Sequence, residues 1–91
     1  METKIIMFTG NTCSKCMRAK AMLNNTPPGI EFELIERNVD ENESDMEFLT
    51  KKLKSNSLPT FLINPEEGST DYKPLIGFDE NIGKIMKAIG L

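Results

Sequence analysis

The sequence predicts an α/β domain: a four-stranded mixed sheet flanked by three helices, in the order β-α-β-α-β-β-α. Short apolar runs rich in strand formers recur at 4–9, 30–39 and 60–63. Stretches with helical spacing separate them, and the last two strand-like runs are joined by a polar loop instead of a helix. Two crossovers through a helix favour parallel pairing, and the late hairpin adds an antiparallel edge. A chain of 91 residues is read as one domain, 1–91.

The elements follow in order. Lys4-Ile5-Ile6-Met7-Phe8-Thr9 reads as a buried strand ended by Gly10-Asn11-Thr12. Thr12 is a candidate N-cap for a helix in which Cys16, Ala19, Met22 and Leu23 recur at helical intervals. Asn24-Asn25-Thr26-Pro27-Pro28-Gly29 stops that helix. Ile30, Phe32 and Leu34 alternate with Glu31 and Glu33 in a second strand that runs on to Val39. Asp40 with Glu43 has the form of a capping box, followed by the apolar set Met46, Leu49 and Leu53 with Phe48 on the flank. Acidic residues open this helix and Lys51, Lys52 and Lys54 close it, which suits the helix dipole. Pro59 begins a third strand, Thr60-Phe61-Leu62-Ile63, and a loop from Asn64 to Thr70 leads to a fourth over Tyr72 to Phe78. The last helix, about 79–89, carries Ile82, Ile85, Met86 and Ile89 on one stripe.

Composition excludes several classes of function. The net charge of −3 disfavours a generic nucleic-acid-binding surface. No apolar run reaches the length of a membrane span, and the opening Met1-Glu2-Thr3-Lys4 has no signal-peptide character, so a soluble, cytoplasmic chain is expected. Histidine is absent, which removes Ser-His and Cys-His dyads and histidine metal sites. The two cysteines, Cys13 and Cys16, lack the two further ligands that a zinc site needs, and Met17 stands where haem attachment requires histidine. No metal site is expected. The clusters Glu66-Glu67 and Asp40-Glu41-Asn42-Glu43 read as a solvated loop and a helix start, and Met7, Met17, Met22, Met46 and Met86 as core or surface filler.

A C-x-x-C at a helix start is suited to redox chemistry. The first sulfur lies beside unsatisfied backbone N–H groups and the positive dipole end, which favour thiolate. The second, one turn along, is placed to attack a mixed disulfide formed on the first. Cys13 is therefore the expected nucleophile and Cys16 the resolving thiol. A structural disulfide or a pair of buried thiols is the alternative, disfavoured by a cytosolic chain and by the strand-to-helix turn. Lys15 and Arg18 add positive charge nearby.

With these residues in view, the chain resembles the glutaredoxins, within the thioredoxin-fold superfamily. The resemblance rests on Thr12-Cys13-Ser14-Lys15-Cys16 between strand and helix, Leu58-Pro59-Thr60 opening the third strand, and Ile76-Gly77-Phe78-Asp79-Glu80 before the last helix. It implies the thioredoxin fold and a cis Leu58–Pro59 bond beside the cysteines, with the Leu58 main chain open to a peptide-like substrate. It implies a γ-glutamyl site at Phe78 and Asp79, where Asp79 also fits an N-cap of the last helix. Lys15 and Arg18 then either meet a glutathione carboxylate or remain solvated helix charges. No bound cofactor is implied; glutathione is the co-substrate, and the protein is expected to act as a monomer on disulfide-containing proteins. Two departures stand out: Ser14-Lys15 replaces the usual Pro-Tyr between the cysteines, and Ile76 replaces the first glycine of a Gly-Gly pair. They keep open two other readings: a donor reduced by thioredoxin reductase, for example toward ribonucleotide reductase, and a glutathione-dependent Fe–S cluster binder.

Overall fold

The computed structural model describes residues 3–65 and 72–91. Its sheet has four strands in the order β2-β1-β3-β4. Strand β1 (Thr3–Thr9) buries Ile5, Met7, Phe8 and Thr9, so both of its faces are covered and it takes a central place. Strand β2 (Phe32–Asn38) pairs with it in parallel, from Thr3 opposite Phe32 to Thr9 opposite Asn38. Strand β3 (Thr60–Ile63) runs antiparallel on the other side, with Phe8 opposite Thr60. Strand β4 (Leu75–Ile76) is antiparallel to β3, with Thr60 opposite Ile76.

Period-two alternation divides β1 between two cores. Ile5 and Met7 face helices α1 (Ser14–Asn24) and α3 (Ile82–Ala88), where they pack with Ala19, Leu23, Phe61, Phe78, Ile85 and Ile89. Phe8 faces the other way, into a smaller cluster with Val39, Leu49, Leu53 and Leu62. Helix α1 is tied to β2 at its open edge: Lys20 Nζ lies 3.0 Å from Glu36 Oε1, and the buried Thr9 hydroxyl donates to Glu36 Oε2 at 2.8 Å. Partial burial by itself pushes the Glu36 carboxyl up, but the Thr9 hydroxyl and the Lys20 ammonium outweigh it and hold the group below its ordinary range.

Several expected boundaries move. Thr12 is not the cap of α1; Cys13 is. The Asp40–Glu43 capping box does not form. Helix α2 (Glu43–Glu47) starts later, with Asn42 as its cap accepting from the Ser44 N–H, and Asp40 turns back to accept from the Asn11 N–H at 2.8 Å. The helical spacing through Leu53 is interrupted by a π-turn over Phe48–Lys52, where the Thr50 hydroxyl bonds the Met46 carbonyl, and Met46 is exposed instead of joining the core. Strand β4 is two residues long where the sequence predicts a strand over Tyr72 to Phe78. Pro74 cannot donate to a ladder, and Gly77 turns out of it at φ +96°. The expected loop over 64–70 and the Glu66-Glu67 cluster fall largely on residues outside the described ones. The last helix divides into a 3₁₀ turn (Asp79–Asn81) and α3, and no side chain caps either start, so Asp79 is not an N-cap.

Candidate functional site

The chain leaves β1 through Gly10, where the ends of two side chains close in. A Cβ on it would lie 2.9 Å from Leu58 Cδ1 and 3.0 Å from Asp40 Oδ2. The loop is fastened from β2: Asp40 accepts the Asn11 N–H, and Asn38 Nδ2 donates to Asn11 Oδ1 at 2.9 Å. Asn38 is fixed in turn by the Asp40 N–H, which donates to its Oδ1 at 2.9 Å. The next residues are the cysteines.

Cys13 and Cys16 form a disulfide with their Cα atoms 5.2 Å apart. Cys13 is extended (φ −94°, ψ 102°) and caps α1 with its own sulfur, which accepts the Cys16 N–H at 3.1 Å. That place is usually filled by a hydroxyl or carboxylate oxygen. A thiolate there would accept the same N–H at the positive end of the helix dipole. Cys16 is 2% exposed and Cys13 is half-buried, so the outer sulfur is the one a second disulfide can approach.

Leu58–Pro59 is a cis peptide. Continuing the β1–β3 register by one residue sets Pro59 beside Thr9, at the end of the sheet from which the cysteine loop departs. The Leu58 side chain lies over Gly10. On the far side of β3, the Gly77 N–H donates to the Pro59 carbonyl at 2.9 Å. The Gly77–Phe78–Asp79 segment is thereby drawn to the same end of the sheet, and Asn81 Nδ2 holds it from below through the Ile76 and Gly77 carbonyls at 2.9 and 3.0 Å. Phe78 is buried against Phe61.

Asp79 caps no helix and instead pairs with cations on α1. Its carboxylate lies 3.4 Å from Arg18 and 4.0 Å from Lys15. Arg18 also stands 6.0 Å from the centre of the Phe78 ring. All of these side chains except Phe78 are about half-exposed, so each ion pair contributes little stability, about 0–1 kcal/mol. Their consequence is placement: two cations and one anion sit together on the flank of the cysteine turn.

The segments that carry the candidate redox and substrate-contact residues, 13–18, 58–59 and 78–79, therefore meet at one end of the sheet. Sequence reasoning missed the fastenings. Asn38 and Asp40 fit a common local-turn pattern that could have been recognised. Asn11 gave no local signal, because its partners Asn38 and Asp40 are distant in the chain, and Asn81 bonds carbonyls four and five residues back in a contact that no cap or turn pattern prescribes. Among the described residues, no group of His, Cys, Asp and Glu gathers into a site for a metal ion.

A protein-family model, Glutaredoxin, matches residues 5–67. No curated protein sequence matches the chain significantly. Among solved structures, it is similar to a thioredoxin-like protein at 24% identity and TM-score 0.68, covering 92% of this chain and 97% of that one. It is similar to the germline-specific thioredoxin Deadhead of Drosophila melanogaster at 19% identity and TM-score 0.66, covering 99% and 82%. Thioredoxin Mala s 13 of Malassezia sympodialis matches at 21% identity and TM-score 0.63, covering 97% and 72%. At these identities the likeness establishes the thioredoxin fold alone.

Proposed function

This chain belongs to the glutaredoxin family, and on that footing we propose that it is a thiol–disulfide oxidoreductase. Its substrates are protein disulfides or glutathione mixed disulfides, and its redox pair is Cys13 and Cys16. The observation that carries the reading is the half-buried Cys13 sulfur at the cap of α1, bonded to the Cys16 N–H, with the second sulfur buried one turn along.

The cycle starts from the dithiol. The Cys13 thiolate attacks one sulfur of the substrate disulfide, and the other sulfur leaves as a thiolate that takes a proton from water. Cys16 gives up its proton and attacks the Cys13 sulfur, releasing the second substrate thiol. Two electrons have passed to the substrate, and Cys13–Cys16 is oxidised. Two glutathione thiols, or a flavin-dependent thioredoxin reductase, return those electrons. In the glutathione-adduct reading, the peptide lies along Leu58 and Pro59, its γ-glutamyl end meets Phe78 and Asp79, and Lys15 or Arg18 faces a carboxylate. No resident cofactor takes part.

The choice of electron donor turns on Asp79. Asp79, the acceptor for an incoming ammonium, is already paired with Lys15 and Arg18. Oxidised protein reduced in parallel by glutathione, and by thioredoxin reductase with NADPH, separates the two donors. Failure of both, together with no turnover of any disulfide, refutes the oxidoreductase reading.

A further inference from the structure

Thr60 follows Pro59 at the start of β3, and its side chain is fully buried. An apolar β-branched residue would fill this strand position without a buried hydroxyl to satisfy. The hydroxyl is satisfied within a closed ring. Thr60 Oγ1 donates to the Ser57 carbonyl at 2.7 Å, and Ser55 Oγ lies 2.9 Å from Thr60 Oγ1. The Ser57 N–H donates to Ser55 Oγ at 3.3 Å. Ser55 Oγ also lies 3.3 Å from the Ser57 carbonyl, but each hydroxyl has one proton, and the order that uses every group once takes the shorter contacts: Ser57 N–H to Ser55, Ser55 to Thr60, Thr60 to the Ser57 carbonyl.

The ring grips Ser57 at both ends. A peptide unit is planar, so holding the Ser57 carbonyl also fixes the direction of the Leu58 N–H on the opposite side of the same plane. Among the described residues, neither the Leu58 N–H nor its carbonyl takes a hydrogen-bond partner, and the Leu58 side chain is anchored over Gly10. Thr60 thus aims an unpaired backbone edge beside the cysteine turn while remaining out of reach of any ligand itself.

We infer that Thr60, supported by Ser55, is a positioning residue for substrate recognition: its hydroxyl sets the orientation of the Leu58 peptide edge on which a disulfide carried in a peptide chain pairs. The inference rests on the oxidoreductase reading and names the substrate class that depends on this edge, disulfides flanked by amide backbone. An amide-free disulfide has no strand to pair and is indifferent to it.

The test compares wild type, Thr60→Val and Thr60→Ser on two substrates, a disulfide-linked peptide pair and bis(2-hydroxyethyl) disulfide. Thr60→Val keeps the shape and removes the hydroxyl; it should raise KM for the peptide disulfide about fivefold with kcat unchanged, the size of one lost net hydrogen bond. It should leave the amide-free substrate unaffected, and Thr60→Ser should restore the peptide KM. An unchanged peptide KM in Thr60→Val overturns the inference. So does an equal loss on both substrates, or a folded Thr60→Ser that behaves like Thr60→Val. If Thr60→Val does not fold, Ser55→Ala decides: it should raise the same KM by a smaller factor, and an unchanged value overturns the inference. A wild type that reduces neither disulfide refutes the underlying enzymatic reading instead.

Discussion

The site has two halves built on different principles. The sulfur half is local: Cys13 and Cys16 are three residues apart, and the cap of one helix fixes both. The recognition half is assembled from two distant stretches, 55–60 and 76–81. The β3–β4 register and a set of buried or half-buried polar contacts join them. The difference teaches where each half is vulnerable. On the proposed reading, reactivity should be lost by touching the sulfurs or their helix turn, whereas recognition is open to changes many residues from any substrate atom.

The largest effect should come from Cys13→Ser, which removes the nucleophile and should reduce turnover of every disulfide to background in an NADPH-coupled assay. Cys16→Ser should instead accumulate a mixed disulfide on Cys13, detected by mass spectrometry, and keep activity toward glutathione adducts, since free glutathione can resolve that species. Turnover by Cys13→Ser but not by Cys16→Ser would reverse the roles of the two sulfurs.

Next in size is Phe61→Ala. Phe61 is fully buried and supports Phe78, so the cavity should cost about 3–5 kcal/mol, read by urea unfolding. In whatever fraction stays folded, KM for glutathione adducts should rise while alkylation of reduced Cys13 proceeds at the wild-type rate. A matching loss in alkylation would show that the halves are not separable.

Asp79→Asn should be milder. Removing two half-exposed ion pairs should change stability by less than about 1 kcal/mol, while KM for glutathione adducts rises severalfold and that for small disulfides stays put. Equal KM values in variant and wild type would assign Asp79 to the ion pairs alone.

The smallest effect concerns Glu36, outside both halves. Its folded carboxyl is held below its ordinary value, so the ionised form favours the folded state. That contribution is present at pH above the unfolded value and is lost as pH falls through the folded one. The side chain is 36% exposed, so the gain is a fraction of about 1 kcal/mol. Urea midpoints of wild type and Glu36→Gln should differ at pH 7 and converge on acidification; a gap that persists in acid would mean packing, not charge.

The two halves also differ in how far the sequence discloses them. The order of elements and the mixed pairing follow from the spacing of residues, while the placing of Leu58, Pro59, Phe78 and Asp79 toward the cysteines is what the family resemblance implies. Local rules failed where two of them fit one residue. Asp79 satisfies a capping pattern, yet its carboxylate finds cations on α1, and Asp40 satisfies a capping box, yet it turns to the Asn11 N–H. In both cases a partner brought near by tertiary packing displaced the short-range bond. The Ser55–Thr60 ring has no periodicity to announce it, since serines and threonines occur in any loop.

The central place of β1 has a consequence for how the protein acquires its shape. Both neighbours of β1 come from far along the chain, Phe32–Asn38 on one side and Thr60–Ile63 on the other. Closing such long loops is what slows a folding chain, while a pair of cysteines one helical turn apart needs almost no closure. During synthesis the two sulfurs leave the ribosome well before β3 exists. A nascent chain therefore carries both cysteines, one helical turn apart, before it has any surface with which to choose a partner.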